Sequence, residues 1–213
     1  MATTIKVDIV SDTICPWCFV GKRRLETAIK NYQTTNPGAK FDINWYPFEL
    51  DPTLSREPVS KRERYASKFG EARSKQIIEH MKNIGKEEGI EFDYGGVVAS
   101  TIDSHRLVEW AKEKGKQQEV IEELFKLYFE ETGNIGDLEQ LAAVAGRIGL
   151  SKEEALEYLR SDKGEKSVKE QIYKSQLAGI HGVPNFTIQD KYTLSGAQPP
   201  EAFVNVFERA AAN

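Results

Sequence analysis

Cys15 and Cys18 are the only two cysteines of the chain, and they stand at a junction where one backbone period gives way to another. Before them Ile5, Val7 and Ile9 alternate with Lys6 and Asp8, the two-residue period of a strand with one face more buried than the other. After them Phe19, Leu25, Ala28, Ile29 and Tyr32 recur at helical spacings until Asn36-Pro37-Gly38 stops the run. Ser11-Asp12-Thr13 lies between as turn and cap residues. A bridge across two intervening residues constrains almost no loop, so it adds little stability. A C-x-x-C that follows a strand and opens a helix is better read as chemistry.

At a helix start, free amide groups and the dipole stabilise an anion, so Cys15 is expected to have a lowered pKa and to carry thiolate at neutral pH. Cys18 falls one turn along, within reach but more enclosed. The spacing suits attack on a disulfide by Cys15 and resolution by Cys18. Pro16 costs no hydrogen bond in the first turn, and Trp17 offers a partly exposed apolar contact to a substrate. Two plainer readings compete. A half zinc site lacks its other ligands, because there is no second C-x-x-C and His80, His105 and His181 are scattered, so no metal centre is expected. Inert buried thiols fit the helix-start position poorly.

The rest of the chain has three parts. Phe41, Ile43 and Trp45 alternate with polar residues, so residues 1–52 read strand, helix, strand. Residues 53–163 show helical periods and almost no strand signal. Capping boxes stand at Ser60 to Glu63 and Ser151 to Glu154, and Ile121, Leu124, Phe125, Tyr128 and Phe129 form a wide apolar stripe. Residues 164–213 read helix, two short strands around Gln189-Asp190-Lys191, and a helix opened by Pro199-Pro200. The fold class is thus α/β, β-α-β followed by α-β-β-α, interrupted by an all-helical insertion.

Composition excludes other classes. With 29 Lys plus Arg against 33 Asp plus Glu the net charge is −4, and the cations form no stripe, so nucleic-acid binding has no support. No stretch approaches the roughly 18 apolar residues that span a bilayer. Met1 to Asp8 shows no basic region, apolar run or cleavage site of a secretory signal, which sets a cytoplasmic location as the expectation.

Four segments carry a family resemblance: Val10 to Cys18, Ser104-His105-Arg106-Leu107, Gly179 to Pro184, and Ser195-Gly196-Ala197-Gln198. Together they resemble the DsbA-like thioredoxin superfamily, closest to its FrnE-like branch, near 2-hydroxychromene-2-carboxylate isomerase and the kappa-class glutathione transferases. The resemblance implies a thioredoxin fold with a helical insertion and a cis Val183-Pro184 bond facing the active site, with the backbone of Val183 positioning substrate. It also implies a low-grade glutathione contact at Gln198 and a possible homodimer. The relatives that use glutathione place a serine where Cys15 stands. Two sulfurs here favour an oxidoreductase acting on protein or small-molecule disulfides, with no required cofactor and with glutathione as reductant or co-substrate. The alternatives are a glutathione-dependent transferase or isomerase, in which Cys15 only orients a bound thiol, and a chaperone-like binding protein with incidental sulfurs.

Several residues have a plainer role beside the chemical one. Asp12 is expected to cap or turn rather than relay protons, because a nearby negative charge would oppose the thiolate. His181 is either an auxiliary acid or base or a solvent-facing loop residue. His105-Arg106 favours packing or a domain-bridging hydrogen bond. Lys22-Arg23-Arg24 reads as a solvated face, with Lys22 roughly 10 Å along the helix from Cys15. Phe48, Tyr65, Phe69, Phe125, Tyr128 and Phe129 are candidates for an apolar cleft, most of them better read as core.

Overall fold

The computed structural model describes residues 4–212. Residues 1–3, part of the segment read above for a leader, and Asn213 lie outside them. β1 (Thr4–Ser11) buries Ile5, Val7 and Ile9 completely, as its alternation requires. α1 (Pro16–Thr35) follows, and β2 (Lys40–Pro47) returns parallel to β1. The chain then runs through β3 (Val59–Ser60), α2 (Lys61–Phe69), α3 (Glu71–Glu88), β4 (Val97–Val98), α4 (Ile102–Glu113), α5 (Gln117–Phe129), α6 (Leu138–Arg147) and α7 (Lys152–Arg160). It closes with α8 (Glu165–Leu177), β5 (Asn185–Ile188), β6 (Tyr192–Ser195) and α9 (Pro200–Ala211).

The four-stranded sheet has the order β2-β1-β5-β6, with β5 antiparallel to both neighbours. This joins the β-α-β and α-β-β-α units that the periods gave into the thioredoxin arrangement that the resemblance implied. The stretch between β2 and α8 departs from all-helical in one respect, since Val59–Ser60 pairs antiparallel with Val97–Val98. Two residues per strand are too few for an alternation to register in the sequence. The caps behave as their side chains dictate: Ser60 accepts from the Glu63 amide, Asp137 from those of Glu139 and Gln140, and Ser151 from that of Glu154.

α1 and α9 pack together against the sheet, where the rings of Tyr32, Phe41 and Phe207 meet edge to face, as do Phe186 and Phe203. The other end of α1 enters the inserted helices, with Phe19 stacked on Phe125 at 5.0 Å between centroids. One helix therefore carries both cores, and its head lies where they meet. Arg106 is buried within the inserted helices. It donates to Asp103 and to the carbonyls of Tyr158, Leu159, Ser161 and Lys163, so it helps to satisfy the carbonyls at and after the end of α7.

Candidate active site

Cys15 is the cap residue of α1, in extended conformation, and its amide donates to the Asp12 carbonyl at 3.1 Å. The next turn begins when the Cys18 amide donates to the Cys15 carbonyl at 3.0 Å. The two cysteines lie 3.5 Å apart and are both free thiols. Cys18 is 0% exposed, whereas Cys15 is 3% exposed and lines an open cleft. Burial pushes the Cys18 thiol well above its ordinary pKa, and the neighbouring Cys15 sulfur adds to the rise. The Ser11 hydroxyl and the Asp12 backbone act the other way.

The Val183–Pro184 peptide bond is cis, and the Cys15 thiol points at the Val183 carbonyl with 3.6 Å between sulfur and oxygen. Gly21 permits this approach. A Cβ there would lie 3.0 Å from Pro184 Cγ and 3.1 Å from the Phe186 ring, so these side chains would have to give way by a few tenths of an ångström. A mid-helix glycine costs roughly 1 kcal/mol relative to alanine, and close packing is the reason to keep one.

The cleft holds about 420 Å³. Pro16, Trp17 and Val183 form its near side, Leu50 and Leu54 its floor, and Tyr65, Phe69, Ile77 and Met81 of α2 and α3 its far wall. Trp17 is 37% exposed, and its ring stands 6.3 Å from that of His80. Arg64 and Lys68 complete the rim, Arg64 held by Asp51 at 2.6 Å. Of the six aromatic candidates, Tyr65, Phe69 and Tyr128 reach the cleft, while Phe48, Phe125 and Phe129 are core.

Other candidates stand elsewhere. The Asp12 side chain does not cap α1. Its Oδ2 accepts from the Leu50 amide at 2.7 Å and its Oδ1 faces His105 Nε2 at 3.2 Å, so it ties down the loop after β2. The same His105 nitrogen lies 2.9 Å from the Phe48 carbonyl. A carbonyl can only accept, so Nε2 carries the proton and His105 bridges the inserted helices to the sheet. His181 is exposed and does not line the cleft, and Gln198 spends its amide on the Ser195 carbonyl. The solvated face expected at Lys22-Arg23-Arg24 is instead a strut. Lys22, 5% exposed, pairs with Glu26 and Glu122, Arg23 with Glu122, and Arg24 with Glu88. Glu88 and Glu122 come from helices far along the chain, which a local basic run does not reveal.

Behind the rim, Lys61 is buried, donates to the Tyr128 carbonyl at 2.8 Å and sits 3.8 Å over the Tyr128 ring. It caps the end of α5, and burial lowers its pKa to about 8. Among the described residues no group of three or more His, Cys, Asp or Glu side chains is disposed to hold a metal ion, and no helix is long and apolar enough to cross a membrane.

The sequence model of the DsbA-like thioredoxin domain matches residues 6–208, nearly the whole chain. The chain belongs to the DsbA-like thioredoxin family. Within or beside that family, the uncharacterized Bacillus subtilis protein YwbO is 30% identical, over 97% of this chain and 96% of its own. The crystal structure of a probable DsbA oxidoreductase from Streptomyces coelicolor superposes with a TM-score of 0.89 at 27% identity, covering 98% of this chain and 91% of that one. The Pseudomonas aeruginosa cytosolic disulfide reductase DsbM, solved with GSH, shares the fold at a TM-score of 0.66 and 17% identity, over 96% of this chain and 99% of that one. The DsbA-like chain is thus of a thiol oxidoreductase family, and its close cysteine pair is consistent with that chemistry.

Proposed function

We propose that this protein is a thiol-disulfide oxidoreductase in which Cys15 attacks and Cys18 resolves. The observation that carries the reading is the asymmetry of the pair: one sulfur borders an apolar cleft beside the Val183 carbonyl, and the other is sealed behind it with a raised pKa. The Cys15 thiolate forms a bond to one substrate sulfur and expels the other, which takes a proton. Cys18 then gives up its proton, attacks the Cys15 sulfur and expels the second substrate thiol. The substrate gains two electrons and the pair is oxidised to a disulfide. A thiol of the glutathione class returns those electrons, so in a reducing compartment the protein runs as a reductase or isomerase.

Extended peptide or small-molecule disulfides would lie across the cleft with their backbone against Val183 and apolar groups against Pro16 and Trp17. Residues 53–163, taken as the insertion, supply the far wall. The test is covalent trapping on a peptide disulfide. Cys18→Ala is expected to accumulate a mass adduct on Cys15 and to lose turnover, and Cys15→Ala to form no adduct. Turnover by Cys15→Ala would overturn the reading, and glutathione-dependent isomerisation surviving in Cys18→Ala would favour the isomerase class.

A further inference from the structure

If Cys18 resolves the mixed disulfide, as proposed above, its proton must leave from a position closed to solvent. β1 offers no carboxylate on that face, which is filled by Ile5, Val7 and Ile9. Asp12 has both carboxylate oxygens engaged, by Leu50 and His105. Beside the sulfur is the Ser11 hydroxyl, 3% exposed, whose oxygen makes no hydrogen bond among the described residues.

Ser11 also lines a second, narrower pocket of about 230 Å³ between β2, α4, α5 and α8. On its wall is Glu109. One carboxylate oxygen, Oε1, accepts from Ser167 at 2.5 Å and from Gln171 at 2.7 Å, while Oε2 is buried without a partner. An unsatisfied buried polar atom is costly. Two residues with such an atom line one small pocket, and a polar space of that volume has room for several water molecules.

We infer that Ser11 and Glu109 form the proton path of the resolving step. The Cys18 proton passes to the Ser11 oxygen while the Ser11 proton moves through pocket water to the Glu109 carboxylate. The electron pair left on Cys18 closes the bond to Cys15, and the substrate thiolate departs. Glu109, itself half-buried, returns the proton to solvent. The high pKa that burial gives Cys18 makes this removal the part of the step in need of help.

The pocket has few competing acids or bases. Lys112 shares α4 with Glu109 and stands 5.1 Å from the Tyr46 ring of β2, and Tyr158 of α7 also faces Glu109. α8 contributes uncharged Ser167 and Gln171, α5 uncharged Gln117 and Ile121, and the His105 Nε2 proton is already committed. On the sulfur side Cys15 and Asp12 adjoin Cys18.

The whole reduced chain is mixed with 5,5′-dithiobis(2-nitrobenzoate), whose leaving thiolate absorbs light and needs no proton. Attack by Cys15 releases one equivalent, and closure by Cys18 releases a second. Ser11→Ala and Glu109→Gln are expected to leave the first phase unchanged and to slow the second about a hundredfold near about pH 6. Their second phase should then rise in proportion to hydroxide and meet that of the wild type at high pH. Ser11→Thr, which keeps the hydroxyl, is expected to restore the wild-type profile. A second phase of wild-type speed in Glu109→Gln, or slowing in both variants with an unchanged pH profile, overturns the path. Failure of the underlying reading looks different: the wild type then stops at one equivalent and keeps its adduct.

Discussion

Two seams join the inserted helices to the sheet, and they are made of different materials. Along one, His105 meets Asp12 and Phe48, Thr13 meets Ser104, and Gln117 bonds both backbone groups of Trp45. Along the other, beside Cys15, Trp17, Leu50 and Leu54 face Tyr65, Phe69 and Met81, and Arg64 reaches Asp51 only at the rim. Directional bonds between buried groups fix a geometry, and what they leave open on this side is the narrow pocket of about 230 Å³. Apolar surfaces that do not quite close leave area that a substrate can cover. The cysteine pair sits where the two seams meet.

The contrast can be broken most severely at the sulfur on the apolar side. Cys15→Ser is expected to lower kcat/KM for a peptide disulfide by about a thousandfold or more, read from steady-state rates, without altering the urea midpoint. The bonded seam should respond in the opposite way. Asp12→Ala strands the Leu50 amide and removes a partner of His105, so it is expected to cost about 3 kcal/mol in urea unfolding.

Lys61, the buried cation behind the apolar seam, sharpens the comparison through pH. Burial holds its folded pKa at about 8 against an ordinary 10.5. Below pH 8 both states carry the proton, and the folded one bears the burial penalty. Between about 8 and about 10.5 the unfolded chain binds more protons, so stability of the wild type rises with pH. Lys61→Met is expected to gain about 2 kcal/mol at pH 7, after allowing for the lost bond to Tyr128, and the gain should shrink as pH climbs through that window. Urea melts at several pH values check it. The mildest change is at the mouth: Trp17→Ala should raise KM for an apolar peptide disulfide about tenfold with kcat nearly unchanged.

The seams also differ in how legible they were. Strands and helices follow from alternation at Ile5, Val7 and Ile9 and from periodicity at Ile121 to Phe129, and the sulfur pair is plain from its place between a strand and a helix. The bonded seam was legible only at His105, where a resemblance drew attention to a histidine already suspected of bridging. Lys22 and Arg23 looked like a solvated run because Glu122 comes about a hundred residues later. Asp12 looked like a cap because its real partners, Leu50 and His105, lie on other segments. Ser11 was read as a turn residue because nothing local says that a serine at a strand end will be left without a partner beside a sulfur. Long-range polar pairs have no period, so they leave no trace in a single sequence.

One omission in α1 reaches further than its size suggests. Because residue 21 carries only hydrogen, the helix can press against Pro184 and Phe186 until the first sulfur and the Val183 oxygen are neighbours. A single methyl there would ask the Pro184 and Phe186 rings to yield by a few tenths of an ångström. The spacing between sulfur and carbonyl thus depends on a residue with no side chain at all.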